Sequence, residues 1–98
     1  MIDQLQVSDF SHLDGHTLHI RFSPEVTLEA RLIEVSTVHG NTPLERHPFH
    51  LILQTQQKDE YYQQAIYTLI HPEKGDLHLF MVPLGNDGNG MRYEIVFS

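Results

Sequence analysis

The stretch IYTLIHPEKGDLHLFMVPLGNDGNGMRYEIVFS, residues 66–98, decides the fold. Ile66–His71 is rich in bulky and β-branched residues, and Leu77–Val82 and Met91–Phe97 return the same character. Pro72-Glu73-Lys74-Gly75 separates the first two runs, and Gly85-Asn86-Asp87-Gly88-Asn89-Gly90 the last two. Proline presets one turn φ and glycine accepts positive φ, so each cluster has a mechanical reason to reverse the chain. Three strands joined by two turns predict an antiparallel β fold. Tyr62, Ile66, Leu69 and Ile70 also fit helical spacing, with Asp59 as an N-cap and Pro72 just past the end. The β-branched content and the tight turn leading straight into another strand decide for the strand, leaving one helical turn open at Tyr61–Ala65.

Working toward the N-terminus, Phe49, Leu51 and Leu53 alternate with His50, Ile52 and Gln54. The segment His39–His47, with Gly40, Asn41 and Pro43, reads as a loop. Thr17–Phe22 places Leu18, Ile20 and Phe22 on one face, and Val26, Leu28, Ala30 and Leu32 share the next strand's inner face. The alternation breaks at Leu32-Ile33, because Ile33 and Val35 are apolar while Glu34 and Ser36 are polar. A period-2 strand changes face only with an extra residue, so a β-bulge is expected there. Ser8 is positioned to cap a short helical turn through Leu13, ending at Asp14-Gly15, with Phe10 and Leu13 on the face that covers an end of the sheet. The expectation is one all-β domain spanning residues 1–98, an antiparallel barrel or sandwich of about six strands with a short N-terminal helical turn.

Composition narrows the function classes. The 98 residues are 40% hydrophobic, enough for one core. The absence of Cys removes disulfides, thiolate metal sites and cysteine nucleophiles. The net charge is −7, and the six basic residues are scattered, which argues against nucleic acid and anionic membrane surfaces as partners. Protonating all eight histidines would carry the charge to +1, so solubility is expected to fall between about pH 5 and 6. Met1–Gln6 lacks a basic and an apolar signal region, and a cytoplasmic location is expected.

Histidine is the first place to look for chemistry. His16 and His19, and His47 and His50, stand three apart, which on a strand sends the two rings to opposite faces. A metal site therefore needs different strands, and the outward-facing His19, His50 and His78 are the candidate ligands, with Glu29 or Glu94 as an oxygen donor. No nucleophile elbow, metalloprotease helix or phosphate loop is present, and the glycine-rich tip at Gly85–Gly90 reads as a flexible hairpin end. No cofactor is expected. Phe80 and Val82 alternate against Leu77, Leu79 and Met81, and Val96 against Met91, Tyr93, Ile95 and Phe97. Phe80, Val82 and Val96 are thus the candidate interaction surface, and an open sheet edge is a second one.

In order along the chain, Phe10-x-x-Leu13-x-Gly15, Pro48-Phe49-His50-Leu51, Ile66-Tyr67-x-Leu69-x-His71-Pro72, Gly75-x-Leu77-x-Leu79-Phe80-x-Val82-Pro83 and Tyr93-Glu94-x-x-Phe97 form a recognisable series. It resembles an uncharacterised family of small bacterial all-β domains of unknown function, some encoded near phage-tail-collar-like proteins. Each motif is short, and their order and spacing across most of the chain carry the resemblance. It implies a core of Phe49, Leu51, Tyr67, Leu77, Leu79 and Phe97, offers no catalytic residues, and points to an assembly or accessory role. The leading expectation is a non-enzymatic interaction module that binds a protein partner or self-associates. The alternatives are a small-ligand binder with Tyr61 and Tyr62 lining a barrel mouth, and a metal-dependent enzyme built on His19, His50 and His78.

Overall fold

A computed structural model describes residues 5–37 and 48–97. One short helix, α1 (Ser8–Ser11), precedes six strands: β1 (Thr17–Ser23), β2 (Val26–Thr37), β3 (Phe49–Gln54), β4 (Ala65–His71), β5 (Gly75–Asn86) and β6 (Met91–Phe97). They form a closed antiparallel barrel in the order β1-β2-β3-β6-β5-β4, sealed by the β1–β4 pairs His19 with Ile70, Ile20 with Leu69 and Arg21 with Thr68. Every strand in it has a neighbour on each side, so the open edge expected as a second docking route is not available. The loop read at His39–His47 lies outside the described residues.

Side-chain alternation fills the barrel. Leu18, Ile20, Leu32, Phe49, Leu51, Leu53, Leu69, Leu79, Met81, Tyr93, Ile95 and Phe97 are buried together, and Tyr67 and Leu77 are partly buried against them. The β2–β3 register shifts between Leu32 and Glu34, with Leu32 opposite Leu53 and Glu34 opposite Ile52. Ile33 is the extra residue of the expected bulge, and beyond it Glu34 faces outward and Val35 returns to the core side. Ile66–His71 is strand, and Tyr61–Ala65 is not a helical turn. Residues 61–64 belong to the connection from β3 to β4, two strands that are not neighbours, and this connection crosses the end of the barrel, while Ala65 opens β4.

Both ends are covered by the chain itself. At one, α1 seats Phe10 with ring centroids 6.0 Å from Phe49, 5.5 Å from Phe97 and 5.4 Å from His71. The buried His71 ties this plug to the β4–β5 turn: its Nε2 lies 2.8 Å from the Asp9 carbonyl oxygen, and its Nδ1 accepts from the Glu73 and Lys74 amides at 3.1 Å. That network assigns the Nε2–H tautomer. Ser8 does not cap the helix. Val7 occupies the N-cap in helical conformation, and Asp9 instead accepts from the Gln6 amide at 2.7 Å. The N-cap side-chain bond requires a residue in extended conformation, and Ser8 lies already inside the helix.

At the other end Tyr62 stacks on Phe22 with centroids 4.4 Å apart, its amide donates to the Tyr93 hydroxyl at 3.0 Å, and that hydroxyl donates to Gln57 Oε1 at 2.8 Å. Burial pushes the Tyr93 phenol above its ordinary value, which keeps it a neutral donor. The β5–β6 tip is pinned rather than loose: Asn86 Nδ2 donates to the Gln57 and Lys58 carbonyls at 2.9 and 3.1 Å, and Gln54 Nε2 to Asp87 Oδ1 at 2.7 Å. Asn86 reaches the β3–β4 connection and Asp87 the last residue of β3, bonds that the glycine content alone does not reveal. Among the described residues no helix is long and apolar enough to cross a membrane.

Candidate functional site

The candidate site is the outer wall where β4, β5 and β6 meet. Ile66 and Phe80 are direct cross-strand partners, 66% and 50% exposed. The β5–β6 ladder pairs Val82 with Glu94, and Val96, 58% exposed, stands two residues beyond Glu94 on the same face of β6. Phe80 and Val96 lie outside, on the face that alternation sets opposite Leu79 and Ile95, and Val82 is half-buried beside the shifted stretch at Pro83–Gly85. Ile66 joins them without having been singled out from sequence. Its strand offers almost no polarity contrast between Ile66, Thr68, Ile70 and Tyr67, Leu69, His71, so only the partner strand's phase, with Phe80 opposite, exposes it.

Beside this apolar stripe sits a charged bridge. His50, on β3, pairs with Val96 and places Nδ1 2.8 Å from Glu94 Oε2 and Nε2 2.6 Å from Glu34 Oε2. Ser36 Oγ also donates to Glu34 Oε2, at 3.1 Å. Ile52 points outward between Glu34 and Glu94, its cross-strand partners, yet is nearly buried. Partial burial by itself lowers the His50 pKa, but the hydrogen bonds and charges of Glu94 and Glu34 outweigh it and hold the imidazole above its ordinary value. Only the imidazolium donates from both nitrogens, so the bridge across β2, β3 and β6 is complete when His50 is charged.

With a folded pKa above the unfolded one, the contribution is fully present below about pH 6.5 and is lost as pH rises through the raised folded value. His50→Gln is expected to cost about 1 kcal/mol near pH 6 and progressively less toward alkaline pH, read as the difference in urea midpoints between variant and wild type. A difference that is constant with pH, or grows as pH rises, contradicts a charged bridge.

The three histidines named as metal candidates are kept apart. His19, His50 and His78 stand on β1, β3 and β5, and each of these strands is separated from the next by another strand. Outward side chains two strands apart start about 10 Å from one another and diverge around a barrel. His78 Nδ1 instead meets Thr68 Oγ1 at 3.1 Å, and Glu94, proposed as an oxygen donor, is held by His50. Among the described residues no group of three or more His, Asp or Glu side chains is arranged to hold a metal ion.

Of the mouth residues, Tyr61 is exposed and Tyr62 fills the space against Phe22. A groove of about 470 Å³ lies instead at the other end, between Leu13, His16, His19, Ile70 and Glu73.

Fold and surface together define a small closed β-barrel domain with an apolar stripe on its outer wall. The chain belongs to the family described as a domain of unknown function, DUF6916, which matches residues 5–97. No curated protein and no solved structure matches the chain.

Proposed function

We propose that the domain is a non-enzymatic interaction or assembly module that docks a protein partner on the outer wall of β4, β5 and β6. The observation that carries this reading is the exposed cross-strand pair Ile66 and Phe80, continued by Val96. Clustered large apolar side chains on an otherwise polar wall lose water on docking, and such clusters mark recognition surfaces. The ends of the barrel are occupied by Phe10 and by Tyr62, which supports recognition on the wall over recognition inside. The resemblance to small bacterial domains, some encoded near phage-tail-collar-like proteins, supports an assembly or accessory role.

Phe80→Glu tests it. Exposed and outside the core, the position tolerates the charge with a stability change within about 1 kcal/mol. Affinity for a protein captured from the native host is expected to fall at least about thirtyfold, since truncating a central aromatic anchor costs about 2 kcal/mol or more. Equal affinity in a folded Phe80→Glu protein removes this surface from the account.

A further inference from the structure

The wall is not uniform along its width, and the asymmetry bears on what it docks. From β4 through β5 to β6 it presents Ile66, Phe80 and Val96, and from β6 through β3 to β2 it presents Glu94, His50 and Glu34. Adjacent strands are about 4.8 Å apart, so an apolar half and an acidic half lie side by side within about 20 Å. Two carboxylates face one imidazole in the acidic half, so the Glu34–His50–Glu94 group is negative even when His50 is charged. On the apolar side Arg21 and Asp76 neutralise each other at 3.2 Å, and Arg92 stands two residues from Glu94 on the same face of β6, opposite Gln54 and Gly85. A second copy of the chain is a poor occupant, because it brings its own −7 and the same acidic half.

Taking the β4–β5–β6 wall as the docking face, we infer that its partner is a basic amphipathic segment of another protein, with apolar side chains seated on Ile66, Phe80 and Val96 and Lys or Arg reaching Glu34 and Glu94. The apolar contacts supply affinity. The carboxylates select sign, exchanging part of the His50 interaction for that of the incoming cation.

Three 14-residue amidated helical peptides with the same Leu positions, and Lys, Gln or Glu at the remaining ones, provide the probes, with binding read by fluorescence anisotropy. The Lys peptide is expected to bind, about tenfold more weakly to Phe80→Ser and to Ile66→Ser. It is expected to bind about fivefold more weakly to the double variant Glu34→Gln/Glu94→Gln. The double variant Asp59→Asn/Glu60→Gln makes the same change in net charge at exposed positions in the β3–β4 connection and is expected to leave binding within about twofold. Equal losses in the two double variants overturn the inference, reducing the preference to net charge. Binding of the Gln or Glu peptide as tightly as the Lys peptide, still dependent on Phe80, overturns the basic partner and leaves the docking face standing. Binding insensitive to both Phe80→Ser and Ile66→Ser overturns both. Dimerisation of the wild type, lost in Phe80→Ser, replaces the partner with a second copy.

Discussion

Gly90→Ala is expected to destabilise the domain by about 4 kcal/mol, enough to lower the melting temperature by roughly 15–30 °C in a protein of this size. A Cβ at Gly90 would lie 1.8 Å from the Thr55 carbonyl oxygen and 3.0 Å from its carbon, where backbone cannot yield cheaply. The residue also sits at φ +148°, which side chains rarely adopt. Thr55 is held in place by its own amide, which donates to the Met91 carbonyl at 2.9 Å, so the clash strains the seam where β6 begins. Gly88→Ala is the control. Its φ is +95° but nothing lies within 4 Å, and a cost of about 1 kcal/mol is expected from the backbone alone. Similar thermal or urea unfolding of the two variants contradicts a close approach at Gly90.

Phe10→Ala is expected to cost about 3–5 kcal/mol, a large part of the stability of a domain this small. Phe10 is fully buried against Phe49, Phe97 and His71, so truncation leaves a cavity at the barrel end and removes the ring over which His71 ties α1 to the β4–β5 turn. Phe10→Leu keeps most of the volume and is expected to recover more than half of the loss. Chemical denaturation monitored by far-UV circular dichroism checks both. A Phe10→Ala protein as stable as wild type shows that α1 is an appendage rather than a plug.

The parts of the fold that were legible in the sequence are those written in local alternation. β5 and β6 carry Leu79 and Met81 against Phe80, and Tyr93 and Ile95 against Val96, so their two faces follow from period alone, whereas the half-burial of Val82 does not. The change of face at Leu32-Ile33 located the bulge for the same reason. Closure of the barrel was not legible, because it rests on a ladder of three pairs between β1 and β4, 47 to 51 residues apart, with no local signature. The Glu34–His50–Glu94 bridge joins three strands through separations of 16 and 44 residues, and His50 alone in its strand looks like any surface imidazole. Ser8 misled because a cap depends on backbone conformation, and the turn begins one residue earlier, at Val7.

The most direct test of the docking wall is an amide chemical-shift titration of the isotopically labelled protein with the Lys peptide. The largest shifts are expected on Ile66, Phe80, Val82, Glu94 and Val96, with the groove between Leu13, His19 and Ile70 unchanged. Shifts concentrated in that groove, or around Tyr62 at the opposite end, would contradict a docking wall and place recognition at an end of the barrel.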